Sequence, residues 1–190
     1  MEVRNFTLCG CNRVGALISA LVVAFMAGGC ASTPVSIDSR DQFMANLRSL
    51  CGQRFEGGLT YAIDPKNPFA DKTMSTLVTC TETDVRMPVL VGEDRSRTWI
   101  VSRPAGGLEL RHDHRHLDGT PDAVTAYGGM AKDGGSALSQ SFGGDAHTFK
   151  VFPGSETNLW TISFSEDKRV LTYHLDRHAK PRIEFVLRRV

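Results

Sequence analysis

Short β-rich runs separated by tight-turn residues fill the chain from residue 55 to its end, and this rhythm constrains the fold more than any other feature. The runs are 55–63, 75–81, 85–91, 97–103, 107–116, 122–127, 137–142, 158–164, 170–175 and 182–187. Between them stand Asp64-Pro65, Gly92-Glu93-Asp94, Pro104-Ala105-Gly106-Gly107, Asp118-Gly119, Gly128-Gly129, Gly143-Gly144 and Pro153-Gly154. Apolar and polar residues alternate within the runs at the period of a half-buried strand. Strands joined by turns form an antiparallel meander, and a sheet of this many strands removes its edges by closing or by folding over. The predicted fold is mainly β: an antiparallel up-and-down β-barrel or bent sandwich.

One segment has the helical period instead. Ser39-Arg40-Asp41-Gln42 is a capping-box pattern, with Ser39 placed to accept a backbone N–H and Gln42 to reach back, and Phe43, Leu47 and Leu50 follow at helical spacing until Gly52. The barrel therefore carries one short N-terminal helix, docked through Phe43 and Leu47.

The region before it reads as an address. Arg4 and Arg13 precede an apolar run from residue 14 to 27, and Ala27-Gly28-Gly29 leads directly into Cys30. A charged start, a run too short for a permanent span and a cysteine after small residues predict a signal peptide over 1–29, cleaved before Cys30, whose thiol is then acylated. Residues 30–38 form the lipidated tether and 39–190 a single folded domain. Ala31 is not acidic, which favours an outer-membrane lipoprotein facing the periplasm, held to the lipid membrane by the Cys30 acyl chains. Ala27, where leucine is more usual, leaves a secreted soluble protein as the alternative.

Charge and cysteines agree with that compartment. Removing Arg4, Arg13 and Glu2 with the signal leaves 20 basic and 20 acidic residues of the original 22 and 21. A neutral chain without basic clusters excludes a nucleic-acid partner, because phosphate binding needs a surplus of Lys and Arg. Cys9 and Cys11 leave with the signal and Cys30 carries lipid, so Cys51 and Cys80 remain to form a disulfide in an oxidising compartment.

The candidate site lies in one strand. From Leu108 to His116, one face reads Leu108, Leu110, His112, His114, His116, and the other reads Glu109, Arg111, Asp113, Arg115. If the leucines face a lumen, the imidazoles face it too, describing an apolar cavity with a titratable mouth. Three readings follow. The histidines pair with Asp118, Asp122, Thr125 and Tyr127 across a hairpin. Alternatively, His112, His114, His116, Arg115, Asp118, Asp122 and Tyr127 orient a small molecule. In the third reading His112, His114 and His116 ligate a metal or haem, helped by His147, His174 or His178. Residues two apart on a strand lie about 7 Å from each other, which opposes convergence of all three on one ion. No cofactor is expected.

The blocks Gly92 to Trp99, Leu110 to Gly119 and Asp122 to Gly129 resemble those of a family of uncharacterised exported bacterial proteins, a likeness extending over about residues 50–190. The architecture is similar to that of lipocalin-like barrels. The resemblance implies one structural unit and no particular activity. Glu93, Asp94, Arg95 and Arg97 read as a turn held by ion pairs or as the rim of the pocket. Trp99, Trp160, Phe164, Tyr173 and Phe185 read as core packing.

Catalytic signatures are missing: there is no Gly-x-Ser-x-Gly elbow, phosphate loop or His-Glu-x-x-His helix, and Gly134-Gly135-Ser136 lacks the elbow spacing. The leading expectation is noncovalent binding of a small molecule. Its alternatives are an envelope structural or interaction protein, whose protein partners the sequence does not name, a metal- or haem-binding protein, and a hydrolase using His114 with Asp113 or Asp122.

Overall fold

A computed structural model describes residues 37–190; the expected signal peptide, Cys30 and the expected tether as far as Ser36 lie outside the described residues. The first element is helix α1 (Ser39–Arg48), capped by Asp38 rather than Ser39. The Asp38 carboxylate accepts from the Arg40 N–H at 2.8 Å, and a carboxylate is a stronger acceptor than a hydroxyl. Gln42 reaches back to the Ile37 carbonyl. Phe43, Met44 and Leu47 form the buried face of the helix.

Eleven strands follow: β1 (Arg54–Ala62), β2 (Met74–Leu77), β3 (Thr79–Cys80), β4 (Asp84–Val91), β5 (Asp94–Ser102), β6 (Glu109–His114), β7 (Tyr127–Met130) and β8 (Ser139–Gly143), then helix α2 (Ala146–Val151), then β9 (Leu159–Phe164), β10 (Val170–Arg177) and β11 (Lys180–Arg189). Apart from β3, which pairs only with β4, their order in the sheet is β7-β6-β5-β4-β2-β1-β11-β10-β9-β8. Each of these strands neighbours the next one along the chain, and β1 meets β11 in an antiparallel ladder from Phe55↔Arg189 to Ala62↔Ile183. The ring is completed at β7/β8 by the single bridge Ala131↔Phe142 and the Lys132 N–H donated to the Ser141 carbonyl at 2.8 Å. The molecule is a nearly closed, lipocalin-like, up-and-down antiparallel barrel, as the turn-punctuated runs imply.

Two elements depart from the sequence expectation. The strand expected at 122–127 forms at Tyr127–Met130 instead. Residues before it are held in turns, with Asp122 Oδ1 accepting from the Val124 N–H at 2.9 Å and Ala126 at φ 52°. Gly128 and Gly129 are strand residues rather than a turn, because a Cβ at either would collide with the carbonyl oxygen of Leu110 or Gly143. Helix α2, absent from the expected elements, occupies the crossing from β8 to β9.

Helix α1 floors the barrel. Phe43 packs against Phe164 with ring centroids 5.4 Å apart, and Asn46 donates to the Ala137 carbonyl at 2.9 Å. Arg48 donates to the carbonyls of Thr81 and Glu82, and the Cys51–Cys80 disulfide, with Cα atoms 5.8 Å apart, ties the helix exit to β3. Above this floor the inward residues Phe55, Met87, Leu108, Leu110, Ile162 and Leu187 are buried at 0–1% exposure and fill the lower lumen.

Candidate functional site

Along β5 the helix end lies at Arg103, whose Nε donates to Asp41, while the inward residues at the opposite end are Trp99 and Arg97. On antiparallel β6 that far end falls at His112 and His114. Here the packing is incomplete. A cavity of about 180 Å³ opens among Trp99, His112, His114, Tyr127, Trp160 and Tyr173, with Phe69, Phe152 and Phe185 closing around it.

The walls are an aromatic ladder built by strand register. Trp99, His112 and Tyr127 are successive cross-strand partners on β5, β6 and β7. His112 stacks on Tyr127 with centroids 4.5 Å apart and planes within 9°, and Trp99 stacks on Tyr173 at 4.3 Å and 1°. The Tyr127 ring also meets Phe152 edge-on at 5.3 Å. Such pairs are worth about 0.5–1.5 kcal/mol beyond area burial, so the wall's own rings stabilise one another without a ligand.

His112 is 2% exposed and fully engaged. Its Nδ1 lies 3.1 Å from the Tyr127 carbonyl, which can only accept, so Nδ1 carries the proton; Nε2 then accepts the Tyr173 hydroxyl proton at 2.8 Å. Burial pushes this imidazole down to about 3, opposed by the Tyr127 carbonyl and reinforced by His114. The ring is neutral throughout the physiological range. Burial likewise raises the Tyr127 phenol to about 12 and lifts that of Tyr173 well above its ordinary value. His114, half-buried, meets the Tyr127 hydroxyl through Nε2 at 3.2 Å and is also shifted down, by burial and then by the Arg97 charge.

The remaining expected site residues divide sharply. His114 and His112 line the cavity with Tyr127, and the leucines before them face inward as the strand period requires. His116 does not join them: β6 ends at His114, and His116 is exposed in a turn, its N–H bonded to the Thr120 carbonyl. Arg115 is exposed and its Nε donates to Asp113 at 2.8 Å. Asp118 is exposed and caps Thr120, and Asp122 caps Val124, so neither lines the cavity. For the metal reading, His112 Nε2 is occupied by Tyr173, and no group of three His, Cys, Asp or Glu among the described residues is arranged to hold an ion. His147 bonds the Thr125 carbonyl, His174 sits between Glu184 and Asp176, and His178 meets Thr157, all away from the cavity.

Arg97 combines both roles open to it. It pairs with Asp94, whose carboxyl, despite burial that would raise it, is held down to about 2 by Ser96 and Arg97. Its guanidinium also lies over the Phe69 ring, 5.1 Å from the centroid, at the cavity edge. Trp99, Trp160, Tyr173 and Phe185 are both core residues and cavity wall. Strand alternation alone cannot separate those two outcomes, because both need the same inward face.

Fold and cavity define the class: a lipocalin-like barrel with a helix-plugged floor and a small aromatic chamber at the opposite end. Comparison with protein-family models, with curated proteins and with solved structures finds no match.

Proposed function

We propose that the protein is an exported, lipid-anchored binding protein that holds a small, mostly aromatic molecule noncovalently in the barrel mouth. One observation carries this reading: a chamber of about 180 Å³ whose rings already stack on one another and whose polar tips, His114 and Tyr127, stand at its wall. Drug-sized ligands occupy roughly 300–1,000 Å³, whereas an apolar cavity of about 150 Å³ takes benzene. A single-ring molecule is therefore the class that fits. The polar pair supplies orientation, and His112, neutral and bonded at both nitrogens, has none free for acid–base work. Support for export comes from the Cys51–Cys80 disulfide, which persists in an oxidising compartment.

Benzyl alcohol and p-cresol are suitable probes, read by the melting temperature and by the fluorescence of Trp99 and Trp160. At a hundred times the dissociation constant the expected stabilisation is about 2.7 kcal/mol. Val89→Phe, directed into the chamber, should abolish it, and His114→Ala should weaken it. If neither probe changes melting or fluorescence in the unsubstituted protein, the binding reading falls. For the anchor, a fatty-acid label retained by Cys30→Ala would remove that part of the proposal.

A further inference from the structure

Beside the aromatic chamber lies a second depression of about 320 Å³, which shares Phe152, Leu175 and Ile183 with it and adds Arg177, Arg182, Asp64 and Asn67. Its two guanidinium groups arrive there by different routes. Arg177 continues the inward face of β10 two residues beyond Leu175. Arg182 arrives through a register break. Leu175 pairs with Ile183 but Asp176 pairs with Pro181, so Arg182 is an extra residue in β11. Strict alternation would send it to the face opposite Ile183, and the bulge brings it to the same groove as Arg177.

Neither guanidinium is neutralised nearby. Among the described residues no carboxylate lies within 4.0 Å of Arg177 or Arg182, a state they share with Arg48, Arg95, Arg169, Arg188 and Arg189; what distinguishes this pair is that both line one groove. Arg177 is fixed in place: its Nε donates to Asn158 Oδ1 at 2.7 Å, and its guanidinium lies 5.6 Å from the Phe152 centroid. Burial and the neighbouring Arg182 charge both press against its ionisation, with Glu156 opposing them from farther away. Two adjacent like charges without a counter-charge are unfavourable unless something else supplies one. Asp64, next to Ile63 whose N–H bonds the Arg182 carbonyl, also lines the groove and offsets part of the excess; its Oδ1 is engaged by the Lys66 N–H at 2.9 Å. Asp64 and Glu156 offset the two cations only from beyond ion-pair distance.

We propose that the ligand of the chamber is a small aromatic monocarboxylate, its ring among Trp99, Tyr127 and Tyr173 and its carboxylate between Arg177 and Arg182. This rests on the binding reading above and assigns the ligand's charge. Chamber and groove share Phe152, Leu175 and Ile183, so they are neighbours, and a molecule with a ring at one end and an anion at the other is the class that would use both. A planar guanidinium presents paired donors that match a carboxylate, and such charge-assisted bonds are the strong ones.

The test compares phenylacetate with 2-phenylethanol, a neutral counterpart of similar length, by calorimetry on the full folded protein. The acid is expected to bind about tenfold or more tightly at low salt, with the advantage shrinking as salt rises. Arg182→Gln alters an exposed side chain and should reduce the acid's advantage several-fold while leaving the alcohol unchanged. Asp64→Asn should increase it, a gain that misfolding cannot imitate. Equal binding of acid and alcohol, or an acid preference indifferent to both substitutions, overturns the anion assignment and leaves the aromatic chamber standing. Failure of both compounds, with benzyl alcohol and p-cresol also inert, removes the chamber reading itself.

Discussion

At His112 a single carbonyl decides the chemistry of the ring. With Nδ1–H committed to Tyr127 and Nε2 to the Tyr173 hydroxyl, the neutral ring is the one the folded chain accommodates. In the unfolded chain the same side chain takes up a proton below about 6.5, whereas in the fold it resists down to about 3. The unfolded state therefore binds more protons between these values. Stability is fully present above pH 6.5 and drains as pH falls, at up to about 1.4 kcal/mol per pH unit for this one group. His114, shifted in the same direction, adds to the loss. Denaturation midpoints measured from pH 7 to pH 4.5, above the range where carboxylates dominate, should fall steeply in the natural protein and less steeply in His112→Gln. Equal slopes would refute the assignment. Tyr173→Phe is a separate probe: it deletes the donor and leaves a buried nitrogen lone pair without a partner, at a cost of about 1–3 kcal/mol in urea denaturation. The neutral character of His112 could not be read from the strand. Alternation placed it inward, but the Tyr173 hydroxyl that bonds it comes from 61 residues away.

Among the elements, α2 has the least sequence signal and one of the clearest structural duties. Strand β7 borders the incomplete edge of the ring, and Gly128 there has no ladder partner on its open side. Thr148 of α2 fills that place: its Oγ1 accepts from the Gly128 N–H at 2.7 Å and donates to the Gly128 carbonyl at 2.6 Å. The helix is held for this by Asp145, whose Oδ1 caps the Thr148 N–H and whose Oδ2 receives Arg111 from β6. In Thr148→Val the shape survives and the hydroxyl does not. The Gly128 N–H then loses its acceptor, while its carbonyl keeps the Asp145 N–H at 3.1 Å. The expected loss is about 1–3 kcal/mol by chemical denaturation, and an unchanged midpoint would show that water replaces the hydroxyl at no cost. What was legible in the chain follows the same division. Strands with an inward apolar set, such as β4 with Val85, Met87, Val89 and Val91, announce themselves by period. Strand β7 has two glycines, which resemble a turn unless one knows that Leu110 and Gly143 press against them. Helix α2 is six residues long and buries only Thr148, so no apolar periodicity marks it. The bulge that re-aims Arg182 is a property of register between strands, invisible in either strand alone.

For the whole molecule the consequence is a division of labour between the two ends of the barrel. The floor is covalently fastened: α1 packs on Phe164, and the Cys51–Cys80 bond closes a loop with a sequence separation of 29. On the chain-entropy account such a loop contributes about 3–4 kcal/mol. Because the chamber is walled by other residues at the opposite end, Cys51→Ser with Cys80→Ser should lower stability by about that amount and leave ligand affinity in the surviving folded protein unchanged. A parallel loss of affinity would show that floor and mouth are coupled. The mouth, by contrast, sits beside the weakest join in the ring. The β1/β11 closure runs over many paired residues, whereas β7/β8 is held by one bridge, with its bond from the Lys132 N–H to the Ser141 carbonyl, and by the Thr148 patch. Opening free energies in a fold follow such local support, so amide exchange should be fastest, within the sheet, along 127–131 and 141–143, and slowest in β10 and β11. Tyr127 belongs to both the loose join and the chamber wall, where it touches Phe152 and His114. A molecule bound in the chamber therefore stabilises the closed join, and saturating p-cresol should slow exchange along 127–131 more than in α1. Uniform slowing across the barrel would instead mean that the ligand resists only global unfolding, and the join would then have no part in access to the chamber.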